Sequence, residues 1–494
     1  MINKSIWLKG IKWKKSNQLK ENINTDVLII GGGITGITTA YFLKESNLNV
    51  TLVDQNKIAS GQSSLATGKL TYLQGLISNK IANIYDKETA TKYIESQKDA
   101  IEIVKDIIID NNIKCDFESN NSYVFTNKNF NIYKLVKLEE ILKLSNCSYK
   151  IVKSLPIKFP TTYAVKISDS AVFNPVKYLL ELERIIEKNI SIYENTKIIS
   201  LEKGKDCYIA KTDRYQISAE KVVLACHYPF FLNPYFFPFK TSIKKGYLCA
   251  GIVEKSKRFN AINEEDNVHS IRYHSDYKSY IIYASEERNI GSNIDNEKNY
   301  NNLFWKMKAN LSDDIKYHWF NFDIVTNDSL PIIGYLEKDN PDLLIGTGYN
   351  LWGMTNGTIA GKIISDLILG INNKYATLFD PNRLFNINKL INYFNFNMRN
   401  GYNFLSSKIN NNYSFYKDKV TVKKINGKKY GIYIDDDGYE HVVLNKCPHM
   451  KCSLVFNTAE KTWDCPCHGS RFSINGNSIK GPSVYNIKID KKEI

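Results

Sequence analysis

The stretch from Asp26 to Leu43 constrains the fold of this chain more than any other. Asp26-Val27-Leu28-Ile29-Ile30 is a short, largely apolar run of the kind buried in a parallel sheet. It passes directly into Gly31-Gly32-Gly33-Ile34-Thr35-Gly36 and a helical stretch through Leu43. The glycines have separate tasks. Gly31 permits the tight turn, Gly33 lets a pyrophosphate approach the backbone, and Gly36 lets the helix pack on the strand, while the amides at the helix start face the phosphates. A second strand, Val50 to Val53, ends at Asp54, eighteen residues after Gly36. That is the range from which a carboxylate accepts hydrogen bonds from a ribose hydroxyl. Strand, turn, helix, strand and acid in this order predict a dinucleotide-binding α/β unit. The motif alone does not choose between flavin and nicotinamide.

Later segments make that choice. Ser60 to Leu70 (SGQSSLATGKL) is a small-residue loop suited to lying against a ring system, and Lys221 to Cys226 reads as a strand returning to the same sheet. Asp328 to Gly334 precedes Leu343 to Tyr349, and Trp352-Gly353-Met354-Thr355 opens a helix running to about Leu369. Together these blocks, scattered over roughly residues 25 to 383, resemble the FAD-dependent D-amino-acid oxidase and glycine oxidase superfamily. The resemblance implies FAD in a Rossmann-like domain of the glutathione-reductase type, with an antiparallel-sheet substrate domain above it. It implies cofactor contacts from Gly31, Gly33, Ile34, Thr35, Gly36, Asp54 and Gln55, and from Ser63, Ser64, Thr67, Gly68 and Lys69. Ala225, Gly348, Gly353, Met354 and Thr355 complete the set. The last three begin a helix aimed at the flavin pyrimidine ring, where partial positive charge stabilises negative charge on the reduced ring. Asn356-Gly357-Thr358 is also a glycosylation sequon, which a buried loop would not use.

Near the C-terminus the chain reads Cys447-Pro448-His449, then fifteen residues, then Cys465-Pro466-Cys467-His468. Each segment offers one thiolate and one imidazole on a tight loop. Two cysteines and two histidines also make a tetrahedral zinc set, but zinc fingers usually pair like with like, whereas both loops here are mixed. The pattern resembles the Rieske [2Fe-2S] family, a small all-β domain. The resemblance assigns Cys447 and Cys465 to one iron and His449 and His468 to the other, and makes Cys452 and Cys467 a candidate disulfide. Neutral imidazoles place such clusters at about −150 to +300 mV, against about −400 mV for all-cysteine plant-type clusters. Phe472 stands where high-potential members carry a tyrosine, so one hydrogen-bond donor near the cluster is missing and the potential should be lower.

At 494 residues the chain is long enough for two or three cores. We expect an FAD-dependent oxidoreductase over 1–383, a connection over 384–413 and a Rieske domain over 414–494. Within the first, segments of about 25–85, 170–240 and 325–375 bind dinucleotide, and about 86–169 and 241–324 form the substrate side. The net charge of +15 comes mostly from lysines scattered among Asn and Ile, with no nucleic-acid motif, so we expect no nucleic-acid partner. The longest apolar stretch, Val222 to Phe239, contains Pro229, Pro234 and Pro238 and is not a spanning helix. No signal peptide is evident in Met1 to Lys20, and a cytoplasmic location is expected.

Residues 86 to 113 form an amphipathic helix with Tyr93, Ala100, Ile101, Val104, Ile107 and Ile108 on its core stripe. Alternation from about Thr241 to Asp323 predicts antiparallel strands, the sheet that roofs the flavin in the resembled family. Arg258, Arg272 and Arg288 are the arginines of that segment, and Arg272 aligns with an arginine common in related sequences, which makes it the candidate grip for a substrate carboxylate. Tyr247 and His274 are further candidates. The expected activity is oxidation of a small amine or amino acid by hydride transfer to FAD, with electrons leaving singly through the cluster to an unidentified partner. Reverse flow from a donor protein, or a redox-sensing module, stays open at this point.

Overall fold

The computed structural model describes residues 1–230, 240–263, 268–289, 296–383 and 419–489. The expected connection 384–413 and the side chain of Arg288 lie outside the described residues.

The first sheet is built around the strand Ile23–Ile30, whose residues from Val27 onward are buried. It pairs in parallel with Val50–Val53 on one side and Gln216–Leu224 on the other, and the latter pairs in parallel with Asn340–Thr347. Ile30 stands level with Val53 and Leu224, and Leu224 with Ile345, so these strand ends share one edge. The helix Ile34–Leu43 leaves that edge, and Gly353–Ile368 packs against it. Ligands of open parallel sheets bind beyond such carboxyl ends.

The second sheet is the roof. Its strands run Ile315–Thr326, Thr241–Ile252, Ser279–Asn289, His269–Ser275, Phe259–Asn263, Glu118–Thr126 and Tyr163–Val172, edged by Lys69–Leu70. Antiparallel pairing predominates, as the alternating pattern predicts, but Phe259–Asn263 runs parallel to Glu118–Thr126. That junction lets one sheet draw on two distant stretches of sequence. A helix, Asn296–Asn310, interrupts the expected run of strands and packs on Thr241–Ile252 and Ser279–Asn289. Its apolar contacts are few, chiefly Tyr300, Leu303 and Met307, which is why periodicity did not mark it. The helix Lys87–Asp110 matches the expected amphipathic element, with Asp86 capping its N-terminus by accepting from the Thr89 amide.

The C-terminal domain holds a three-stranded sheet (Val420–Ile425, Lys428–Ile434, Glu440–Leu444) and a four-stranded one (Val455–Asn457, Thr462–Asp464, Arg471–Ser473, Ser478–Lys480). Its core gathers Tyr433, Phe456, Trp463 and Phe472. This domain seats on the roof sheet and on the edge of the first sheet. Tyr300 donates to Glu460 at 3.0 Å, Lys197 donates to the Val484 carbonyl at 2.6 Å, and the Arg471 guanidinium lies 4.4 Å from the Phe320 ring. Lys480 donates to the Gln62 side-chain oxygen, and burial pulls its pKa down to about 7. Among the described residues no helix is long and apolar enough to cross a membrane.

Candidate functional site

The turn after the first strand is closed by its own residues. Gly31 sits at φ +116, and a Cβ there would lie 2.4 Å from the Ala225 carbonyl oxygen. A Cβ on Gly36 would lie 1.9 Å from the Gly31 oxygen, so strand and helix meet at a distance only hydrogen permits. Asp54 accepts from the Gly32 amide at 2.8 Å and from the Asn56 amide at 2.7 Å, and burial raises its carboxyl pKa. Ser63 accepts from the Ile34 amide at 3.0 Å, and Ser64 donates to the Gly61 carbonyl at 2.8 Å. Thr35 and Tyr349 share a hydroxyl hydrogen bond of 2.6 Å, while Gln55 is exposed at the strand end.

Between this edge and the roof lies a cavity of about 440 Å³. Thr67, Gly68 and Lys69 line it from one side, Trp352, Gly353 and Met354 from another, and Gly246, Leu248, Ser270, Ala284 and Asn321 from the roof. The helix Gly353–Ile368 starts here without a side-chain cap, so its first amides are left to a ligand. A buried polar network holds that start in place. Gln74 donates to Thr355 at 2.8 Å, Tyr93 donates to Gln74 at 2.6 Å, and Gln97 donates to Asn356 at 2.9 Å. Asn356 lies in the first turn of that helix rather than in a loop, and its burial shuts it off from glycosylation. Lys69 is buried on the cavity wall, donating to Ser270 at 2.7 Å and to the Ala261 carbonyl at 3.2 Å. Burial, with help from Arg272, lowers its pKa to about 7.

The C-terminal loops converge on a second pocket. The Cys447 amide donates to the Cys452 carbonyl at 2.8 Å and the Lys451 amide to the Cys447 carbonyl at 2.9 Å, closing the first loop. The Cys465 amide donates to the Ser470 carbonyl at 2.7 Å and the Gly469 amide to the Cys465 carbonyl at 3.0 Å, closing the second. Cys447 and Cys465 are free, buried and within hydrogen-bonding reach of each other, which lowers the Cys447 thiol pKa and raises that of Cys465. The His449 and His468 rings lie 5.2 Å apart, and both Nδ1 atoms are buried without a protein partner. Cys452 and Cys467 form a disulfide, so although the Cys452, Cys465 and Cys467 sulfurs cluster, only Cys465 of the three offers a thiolate. Two thiols and two orphaned imidazole nitrogens are the donor set a mixed-ligand two-iron cluster requires.

Comparison with known proteins agrees with this geometry. Residues 26–367 match the FAD dependent oxidoreductase family, and residues 408–489 match the Rieske [2Fe-2S] domain. The chain belongs to the FAD-dependent oxidoreductases and carries a C-terminal Rieske domain. Over 96% of both chains it is 28% identical to the Rieske 2Fe-2S iron-sulfur protein YhfW of Bacillus subtilis. Gamma-glutamylputrescine oxidoreductase of Escherichia coli is 28% identical over 26% of this chain and 29% of its own. Glycine oxidase from Geobacillus kaustophilus shares the fold with a TM-score of 0.62 and 13% identity, covering 74% of this chain and all of that one. L-amino acid deaminase from Proteus vulgaris does so at 0.59 and 17%, covering 76% and 100%. The family matches put FAD and a Rieske cluster in this chain, and the glycine turn, the Ser60–Leu70 loop and the start of the Gly353–Ile368 helix are the candidate FAD contacts, with the two C-terminal loops the candidate cluster site.

Arg272 is the correction. Its guanidinium is 1% exposed, donates to the Thr67 carbonyl and, at 2.9 Å, to the Phe173 carbonyl, and lies 4.6 Å from the Trp7 ring. It does not line the cavity. Instead it belongs to a set of donors that pin three successive carbonyls of the Ser60–Leu70 loop. Trp319 holds that of Leu65 at 3.0 Å, Trp7 that of Ala66 at 2.6 Å, and Arg272 that of Thr67. Arg258 is an exposed partner of Glu118, Tyr247 is buried against Asn296, and His274 packs edge-on to Trp7. Sequence reasoning missed Trp7, Gln74 and Gln97. A polar Gln97 one turn after Tyr93 on a core stripe was the available signal for the last.

Proposed function

We propose that this chain oxidises a small amine or amino acid at FAD and passes the electrons singly, through the Rieske cluster, to a one-electron acceptor protein. The observation that carries the reading is the presence of two redox pockets in one chain, with the histidine edge of the second turned toward the sheet edge that builds the first. FAD, when bound, accepts a hydride from the carbon bearing the substrate nitrogen, and the cluster carries one electron at a time. The protein's own part is placement. Uncapped amides at Gly353 to Thr355 put partial positive charge at one end of the cavity, and the roof residues Leu248, Ile262 and Ala284 exclude water from it. Lys80 and Lys244 line the cavity with Lys69, but Lys69 is the buried one, and it, rather than Arg272, is the candidate partner for a substrate carboxylate. Its likeness to glycine oxidase, L-amino acid deaminase and gamma-glutamylputrescine oxidoreductase supports a nitrogen-bearing substrate. A built-in one-electron outlet favours a dehydrogenase over an oxidase.

The test is anaerobic. Amines and amino acids are added to the purified holoprotein, and flavin absorbance and the electron paramagnetic resonance of the reduced cluster are followed together. Bleaching of the flavin followed by a Rieske signal is expected. Bleaching with no cluster signal, or a cluster reducible only by an external protein, would overturn the direction of flow.

A further inference from the structure

The strand Gln216–Leu224 ends beside the glycine turn, and the chain continues through Ala225, Cys226 and His227 to Tyr228. Four residues thus span from the FAD turn to the cluster ligands. At one end the Ala225 carbonyl closes on Gly31, and the Ala225 amide donates to the Ile30 carbonyl at 2.9 Å. At the other the Tyr228 ring lies 5.5 Å from that of His468 and 6.2 Å from that of His449, touching both imidazoles. Tyr228 is 6% exposed. Such a contact is deliberate in backbone terms, because the chain bends sharply to make it. His227 sits at φ +69, and the Tyr228 amide donates across it to the Cys226 carbonyl at 2.9 Å, a γ-turn of the strained hand. The Thr347 hydroxyl donates to the His227 carbonyl and ties the bend to a neighbouring strand of the sheet. A second tie runs alongside, from Lys480 of the Rieske domain to Gln62 in the loop that also carries Ser63. The histidine edge of the cluster site is therefore covered by this chain's own FAD module.

We propose that Tyr228 is the contact through which the Rieske cluster exchanges electrons with the flavin, its ring closing the gap between the 225–228 segment and the two histidines. The inference rests on the proposed function, since it names the route by which that electron flow passes. Each transfer takes one electron from the reduced flavin and converts one ferric iron of the cluster to ferrous. A one-electron acceptor protein clears the cluster between transfers, and after two electrons the flavin is oxidised, with its proton released to solvent. The tyrosine is a positioning residue for the histidines and is not itself consumed.

The experiment uses the full-length holoprotein, wild type and Tyr228→Leu and Tyr228→Phe variants. The flavin is photoreduced anaerobically by a laser flash with EDTA as sacrificial donor, and the return of flavin absorbance is followed with that of the cluster. The electron paramagnetic resonance spectrum of the dithionite-reduced protein reports the cluster separately. The Leu variant should keep a Rieske signal, with line positions shifted by the altered packing of the histidines. Its flavin-to-cluster equilibration should slow roughly tenfold, equivalent to about 1.4 kcal/mol in the barrier, while the Phe variant matches wild type. Equilibration at the wild-type rate in the Leu variant, or equal slowing in the Phe variant, overturns the proposal. If wild type itself shows no flavin-to-cluster equilibration, the underlying function fails and this inference with it. Should the Leu variant lose its cluster signal, Tyr228→Met, which fills similar volume without a ring, replaces it under the same criteria.

Discussion

Replacing Arg272 by methionine separates two roles that an arginine near a flavin loop could have. In the structure the guanidinium is buried, donates to the Thr67 and Phe173 carbonyls, and stacks on Trp7. Taking the guanidinium away leaves two buried carbonyls desolvated without a donor, at about 1–3 kcal/mol each, or about 3–5 kcal/mol together. The components agree in size, since hydrogen bonds from a charged group contribute about 1.5–3 kcal/mol each, and stacking on Trp up to about 2, offset by the cost of burying the charge. Spread over a module of residues 26–367, whose unfolding entropy is on the order of 0.7 kcal/mol/K, this lowers the melting temperature by about 4–7 °C. The lost carbonyl anchor at Thr67 also loosens the FAD loop, so the variant should purify with less flavin. Calorimetry at one scan rate, with saturating FAD, checks the first effect, and flavin absorbance per protein checks the second. A variant that keeps its melting temperature and flavin content while its affinity for a carboxylate-bearing substrate falls would refute the argument and return Arg272 to the substrate.

Three further outcomes follow from the same geometry. Gly36→Ala should abolish flavin binding in the full chain, because its Cβ would meet the Gly31 oxygen at 1.9 Å, and the Rieske spectrum should survive; a normally flavinylated variant would contradict this. Cys452→Ser/Cys467→Ser removes a cross-link with a sequence separation of 15, worth about 3 kcal/mol in the chain-entropy account, so the cluster should be lost at lower temperature in a heating series followed by its visible spectrum. Lys69 binds an anion only when protonated, and burial holds its pKa near 7. Binding of benzoate, read from the flavin spectrum, should therefore weaken as pH rises through about 7, approaching about tenfold per unit above it, and Lys69→Gln should flatten that profile.

Both cofactors were legible because the motifs that point to them are short blocks whose geometry is local. Val27 to Gly36 must form strand, turn and helix whatever surrounds them, and two loops that each carry a cysteine and a histidine within a few residues can present both only to a shared centre. The helix Asn296–Asn310 was not legible, since few of its residues face the core, and neither was the parallel junction between Phe259–Asn263 and Glu118–Thr126, which joins strands far apart in sequence.

The sequence by itself pointed to the groups this protein binds, through short motifs of local geometry taken together with the later blocks that favour flavin. Only the tertiary structure decided what the single side chains do. Arg272 meets Thr67 and Trp7 across more than two hundred residues, and a guanidinium turned toward carbonyls is unavailable to a cavity. Lys69 faces the cavity because the short strand Lys69–Leu70 joins the edge of the roof. Tyr228 meets the histidines because the turn at His227 aims it at loops that the packing of the Rieske domain places there. The physical reason is the same in each case: a side chain's partner is set by the packing of elements remote in the chain, and no local pattern encodes it.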